Sequence, residues 1–318
     1  MVSKSTFIRP FPPLTETQRY YLEVNGYVVI ENALSPDEVE QLKNALYGLS
    51  EKLEDLDNRT ADGPRVRGAF YGIDKPCHKY FNNIIEADPA ITAYATHPFM
   101  VSLAEELMGS EARIVEMNAH INSRDPDHTW EETITGFHRG ADVPYSSHTQ
   151  NGLFHCNFVK TLTNLTDLEP EDGGTAVIAG SHKIDLPAEE LIAIATKDRS
   201  LVHQVIAPAG STLLFSETLI HATSPIQSDK KRMIIITGYG PTMFPYWDQG
   251  KLSSEFYESI PEQLKVLLDG KQHWHRGSRY RSLSTPADIR HFEMGKWDER
   301  PAASEDDLNK YNRPKGYR

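Results

Sequence analysis

Residues 153–183, LFHCNFVKTLTNLTDLEPEDGGTAVIAGSHK, decide the fold. Short runs of apolar, β-branched and aromatic residues are separated by turn residues, which is the texture of strands rather than helices. Gly173 and Gly174 permit a tight reversal, and Gly180-Ser181-His182 ends the strand that follows. The same texture extends outward through ARIVEMNAHIN (112–122), HQVIAPAG (203–210), STLLFSETLIHAT (211–223) and RMIIITGYG (232–240). These strands follow one another too closely for crossover helices, so antiparallel pairing into a sandwich or barrel is the expected closure.

Upstream the pattern is helical. Thr15 is placed to cap a helix that carries Tyr20, Tyr21 and Val24 on one side and stops at Asn25-Gly26. YVVIENAL (27–34) reads as a strand, and Ser35-Pro36-Asp37-Glu38 opens a second helix with Val39, Leu42, Leu46 and Leu49 as its apolar stripe. Residues 57–84 are polar and turn-rich and read as a loop or cover. Helices are expected near 86–94 and 97–108, the second ending at Gly109. Beyond Trp247, a helix at 261–269 precedes a polar tail rich in Arg and His.

Composition excludes more than it assigns. Runs such as LIAIAT (191–196) and MIIIT (233–237) are far short of the ~20 apolar residues that span a bilayer. The opening MVSKSTFIRPFPP has no apolar centre of the signal-peptide kind. A net charge of -12 over 318 residues argues against nucleic acid as partner. Cys77 and Cys156 are too few for a disulfide framework, so a reduced, cytoplasmic setting is expected. The expected partner is a small-molecule substrate, with no membrane and no nucleic acid; the sequence leaves the oligomeric state open.

Three features stand in a fixed order within the β-rich region: His138 in FHRGAD, the Gly173-Gly174 turn, and His221 followed eleven residues later by Arg232. Taken one at a time these features are weak signals; in this order they are not.

GYVVIENALSPDEVEQLKNAL (26–46), LTNLTDLEPEDGGTAVIAGSHK (162–183) and LLFSETLIHATSPIQSDKKR (213–232), in this order, make the chain resemble the phytanoyl-CoA dioxygenase family of iron(II)- and 2-oxoglutarate-dependent oxygenases. The resemblance runs from about residue 14 to about residue 245. It implies a mainly β fold with flanking helices, the double-stranded β-helix or cupin-like jelly roll. One domain would fill 1–318, with helices over about 15–110, the β-core over about 111–245, and a C-terminal helix plus polar tail over 246–318. Implied cofactors are Fe(II), 2-oxoglutarate and O2, and the implied default reaction is hydroxylation of an aliphatic carbon. The resemblance makes His138 and His221 the metal ligands, gives Arg232 the distal carboxylate of 2-oxoglutarate, and offers Thr223 as an additional hydroxyl donor. A guanidinium fork suits that carboxylate by forming two parallel hydrogen bonds.

The departure from the family pattern is Gly140, which stands where the acid of a His-x-Asp pair belongs. Chloride could take the vacated place, as in the related halogenases. Asp142 or Glu217 could supply a substitute carboxylate. The site could also bind iron through two histidines alone, or be silent on a binding scaffold that keeps the jelly roll. His155 and His148 rival His138 as first histidine, each with an amide two residues on. His120 and Asn118 are secondary candidates near the pocket. His182 is expected to hold its turn through hydrogen bonds, and Cys156 to be a small buried residue. Phe244, Tyr246 and Trp247 either line the entrance or cap the core. Arg276, Arg279 and Arg281 read as a solvated face before an anion-binding patch.

Overall fold

A computed structural model describes residues 14–127, 136–141, 145–150, 152–241, 244, 252–260, 265 and 267–268. The first helices follow their cap signals. In α1 (Glu16–Asn25) the Thr15 hydroxyl accepts from the Gln18 amide, the Gln18 side chain accepts from the Thr15 amide, and the helix closes at Gly26. α2 (Pro36–Glu54) starts with the same reciprocal arrangement between Ser35 and Glu38 and buries Val39, Leu42, Leu46 and Leu49. The buried face of α1 is not the expected one. Arg19 and Leu22 point inward, whereas Tyr20 and Val24 are 72% and 52% exposed. Arg19 is drawn in because its guanidinium donates to Glu23 and to the carbonyls of Phe154 and Glu106.

Twelve strands follow in the described chain: β1 (Tyr27–Ile30), β2 (Phe70–Lys75), β3 (His78–Asn82), β4 (Ala112–Asn122), β5 (Ser147–Gln150), β6 (Leu153–Cys156), β7 (Val159–Asn164), β8 (Thr175–Ile178), β9 (Val202–Val205), β10 (Thr212–Ser216), β11 (His221–Thr223) and β12 (Arg232–Pro241). All pair antiparallel. One sheet has the order β1-β10-β7-β12-β4-β3-β2, a second β11-β8-β9, and β5-β6 form a separate hairpin. The two larger sheets stack as a jelly roll.

Side-chain alternation assigns the faces. Met117, Ala119, Leu214, Met233, Ile235 and Tyr239 pack on one core with residues of α2, α3 (Pro89–Ala95) and α4 (Pro98–Met108). From the opposite face, Tyr27, Leu162, Leu213, Phe215 and Ile234 meet Val177, Val205 and Leu219 between the sheets. In register with Ile234 and Arg232 on β12, this inner face also carries Asn118, His120 and Asn122 of β4 and His78 and Tyr80 of β3.

That polar inner face explains a correction. Residues 57–84, read as loop or cover, supply β2 and β3, which widen the large sheet. Their strand signal is weak because the inward side of β3 bears His78 and Tyr80 instead of aliphatic residues. A second difference is α5 (Ala188–Lys197), a helix between β8 and β9 that leaves them paired antiparallel and packs Leu191 and Ala195 on Ile178 and Ile220. α6 (Ser254–Ser259) precedes the expected helix at 261–269, of which residues 265, 267 and 268 are described and are helical. Phe244 sits at the end of β12, with its carbonyl accepting from Arg113 and its ring against Gly240. Tyr246, Trp247, Arg276, Arg279 and Arg281 lie outside the described residues. No helix among the described residues is long and apolar enough to cross a membrane.

The turn entering β8 depends on glycine. Gly174 has φ +107°, and a Cβ there would stand 2.4 Å from the Val205 carbonyl oxygen. The His182 ring makes no geometric hydrogen bond among the described residues and packs edge-on against Phe154 at 4.8 Å. The turn this ring was expected to hold is tied through the backbone, the His182 carbonyl accepting from the Thr218 hydroxyl. Burial moves the His182 imidazole down to about 4.

Two outcomes follow for stability. Gly174→Ala should lower unfolding free energy by about 2 kcal/mol or more in urea titration, from backbone strain plus the Val205 contact; a loss below about 0.5 kcal/mol would contradict this reading of the turn. In an unfolded chain His182 takes up a proton near 6.5, whereas the folded chain resists until about 4. The unfolded state therefore binds more protons across that window, and stability falls as pH drops from about 6.5 to about 4, by at most ~3 kcal/mol. His182→Leu should flatten that part of the profile. Parallel losses in both proteins would refute the assignment.

Candidate functional site

β10 ends at Ser216, and the chain turns tightly through residues 217–220 before β11 begins at His221. The turn is pinned by Leu219 N–H donating to the Ser216 carbonyl, Ile220 N–H to the Ser181 hydroxyl, and Ile178 N–H to the Ile220 carbonyl. Against β11 runs the segment 136–141. His138 N–H donates to the His221 carbonyl and His221 N–H to the His138 carbonyl, each at 3.0 Å. This exchange sets the two residues directly opposite one another and brings their rings to a centroid distance of 4.3 Å.

Both rings are held alike. His138 Nδ1 lies 2.9 Å from the Gly136 carbonyl and His221 Nδ1 2.9 Å from the Leu219 carbonyl. A carbonyl can only accept, so in the neutral ring Nδ1 carries the proton and Nε2 keeps its lone pair, the form that ligates a metal. Burial lowers the His221 pKa, with Glu217 opposing and His138 adding to the shift, so this ring is neutral near pH 7. Phe215 covers it edge-on at 4.9 Å.

Beside this pair the missing side chain of Gly140 is decisive. A Cβ built on Gly140 would fall 1.4 Å from Glu217 Oε2, so the Glu217 carboxylate occupies that space. One further bond locks the segments together, Ala141 N–H to the Glu217 carbonyl at 3.0 Å, and Glu217 N–H donates to the Phe158 carbonyl, also at 3.0 Å. Glu217 is 4% exposed. No group of three His, Cys, Asp or Glu side chains among the described residues is already gathered as a metal cluster. Asp142 lies outside the described residues.

Arg232 opens β12 and is 2% exposed. Its Nη2 donates to the Thr175 hydroxyl at 3.3 Å, while Nε and Nη1 are buried without a partner among the described residues. Desolvation alone lowers its pKa, to about 10. A guanidinium buried with no anion is costly unless something arrives to neutralise it. The hydroxyl that meets Arg232 belongs to Thr175, the cross-strand partner of Thr223; Thr223 itself is exposed. Thr175 follows the Gly173-Gly174 turn directly, a sequence cue to a residue at the strand mouth. Next to Arg232 in register, Asn122 leaves Oδ1 without a partner among the described residues, and His78 Nε2 lies 3.0 Å from His120 Nδ1, with Tyr80 stacked on His120. Burial, then neighbouring positive charge, lowers the pKa of both histidines.

Farther along β12, at Gly238, the inner face carries an ion pair between Lys160 and Glu116, with Asn118 donating to the other Glu116 oxygen at 3.0 Å. Lys160 is the cross-strand partner of Phe215, whose ring meets that of His221. The rival histidines are held elsewhere. His155 Nδ1 meets the Leu107 carbonyl of α4 at 3.1 Å, and His148 stacks on it across the β5-β6 hairpin. Cys156 is buried, and its thiol donates to the Phe158 carbonyl.

Comparison with known proteins agrees with this architecture. The chain is 23% identical over 227 residues to an ectoine dioxygenase of Nocardia farcinica, covering 63% of this chain and 69% of that one. The structure of HygX from Streptomyces hygroscopicus with nickel and 2-oxoglutarate bound aligns with a TM-score of 0.57 at 23% identity, over 74% of this chain and 90% of the other. EctD from S. alaskensis, with 2-oxoglutarate and 5-hydroxyectoine, aligns at 0.55 and 18% identity, over 76% and 86% of the two chains. The model of the phytanoyl-CoA dioxygenase (PhyH) family matches residues 22–234, well over half of the sequence, and the chain belongs to this family of iron(II)- and 2-oxoglutarate-dependent oxygenases.

Proposed function

We propose that this chain hydroxylates an aliphatic carbon of a small polar molecule, with His138 and His221 holding iron(II) and Arg232 holding the distal carboxylate of 2-oxoglutarate. The observations that carry the reading are the buried Arg232 guanidinium, whose Nε and Nη1 have no partner among the described residues, and the facing imidazoles of His138 and His221, each held at Nδ1 by a carbonyl. A dicarboxylic acid gives that charge its missing counterion, and its other end would lie toward the imidazoles.

When bound, iron(II) with 2-oxoglutarate and O2 supplies the oxidation: the 2-oxo acid becomes succinate and CO2, and the second oxygen atom goes to the substrate. The chain's own groups set the arrangement. Thr175 fixes the plane of the guanidinium through its hydroxyl, and Arg232 offers its remaining N–H groups to the carboxylate. The Gly136 and Leu219 carbonyls keep each imidazole in one tautomer, so that neither ring must reorganise on metal uptake. Phe215 shields the His221 ring from water. Lys160, Glu116 and Asn118 add charged and amide groups to the inner face farther along β12 than Arg232, and such groups favour a small polar substrate over a long acyl chain. The relatives that act on ectoine support the same size and polarity.

Arg232→Met should raise the KM for 2-oxoglutarate at least ~100-fold in a succinate-release assay, because a charge-assisted pair is lost. The variant without co-substrate should unfold at an equal or higher temperature than wild type, since an uncompensated buried charge is gone. An unchanged KM would contradict the role given to Arg232. Succinate release should also be stimulated more by small polar zwitterions such as ectoine or proline than by a long-chain acyl-CoA; the reverse order would contradict the substrate class.

A further inference from the structure

We propose that Glu217 is the carboxylate ligand of the iron site, delivered from the turn between β10 and β11 instead of from the position two residues after His138. The inference rests on the reading of His138 and His221 as metal ligands. In an extended segment the side chains of residues 138 and 140 point to the same side. At 140 there is no side chain, and the place where one would begin is taken by Glu217 Oε2 at 1.4 Å, with Glu217 Cδ at 2.7 Å. The acid has moved to the facing segment while its location beside the imidazoles is kept.

Three observations support the exchange. The segments 138–141 and 217–221 are tied at both ends, by the paired bonds of His138 with His221 and by the Ala141 to Glu217 bond, so the geometry that joins Glu217 to the imidazoles is backbone-fixed. With the Glu217 side chain in this position, a Cβ at 140 would overlap its carboxylate and displace it. Glu217 is 4% exposed and stands in the turn that leads directly into His221. A buried carboxylate and two imidazoles whose Nδ1 atoms face carbonyls, leaving Nε2 as the lone-pair nitrogen, are the donor set that iron(II) takes. Since no three such groups already converge among the described residues, the Glu217 side chain must turn toward the rings when the ion enters. The same occupancy removes the open position that a chloride ligand would need.

The test is a swap of the acid between the two segments, read as Mn(II) affinity of the full chain by electron paramagnetic resonance in the presence of 2-oxoglutarate. Glu217→Gln, which keeps shape and volume, should weaken Mn(II) binding at least ~30-fold. Gly140→Asp alone should destabilise the fold and bind no tighter than wild type. Gly140→Asp combined with Glu217→Ala returns the acid to the first segment and should recover at least ~10-fold over Glu217→Gln. Asp142→Asn should keep wild-type affinity, and added chloride should leave it unchanged. Glu217→Gln binding like wild type while His221→Ala is weakened would overturn this proposal alone, as would a loss on Asp142→Asn or tightening by chloride. Wild type that binds no Mn(II), or His221→Ala that binds as well as wild type, would instead overturn the two-histidine reading. Thermal unfolding of Glu217→Gln within a few degrees of wild type separates lost ligation from lost fold.

Discussion

The site depends on one short antiparallel contact, the pair of 3.0 Å backbone hydrogen bonds exchanged by His138 and His221. Eighty-odd residues separate these histidines in the chain, and no interaction of their side chains alone would hold them together against the entropy of the intervening loop. The backbone does so. Once the bonds are made, ring separation, the facing of Gly140 and Glu217, and the tautomers set by the carbonyls two residues back follow from local geometry. The turn at 217–220 is in turn fixed by Ser216, Ser181 and Ile178, which ties the contact to both sheets.

The second constraint is electrostatic. The large sheet turns an aliphatic face toward the helices and a mixed face toward the small sheet, so the interior of the roll carries Arg232, His78, His120, Asn122, Lys160 and Glu116 among Leu162, Phe215 and Ile234. Lys160 and Glu116 neutralise each other, and Arg232 has no such partner among the described residues. Leaving a guanidinium in this state costs stability that an aliphatic residue would not cost. On the function proposed above, that cost is offset when an anion binds.

The sequence was legible where a local rule governs. The cap residues Thr15 and Ser35, the glycine turn at 173–174, and the alternating strands of the 112–122 and 232–240 stretches can each be read without the rest of the chain. The order of His138, the glycine turn, His221 and Arg232 spans nearly a hundred residues and acquires meaning only through the family resemblance, not through a local rule. What could not be read is what depends on contacts distant in sequence. The strands β2 and β3 look like loop because their inward residues face a polar interior, and α1 buries Arg19 because acceptors from residues 106 and 154 await it. Thr175, not Thr223, meets Arg232, since cross-strand pairing decides which of two hydroxyls is enclosed. Glu217 was visible as an acid four residues before His221; only the close approach to Gly140 distinguishes it from any other buried acid.

The most direct measurement is an anaerobic crystal structure of the chain with iron(II) and 2-oxoglutarate. The account predicts one metal ion bound by Nε2 of both His138 and His221, with the far carboxylate of 2-oxoglutarate on Nε and Nη1 of Arg232. A metal ion held away from either ring, or a carboxylate bound elsewhere with Arg232 still unpartnered, would contradict it.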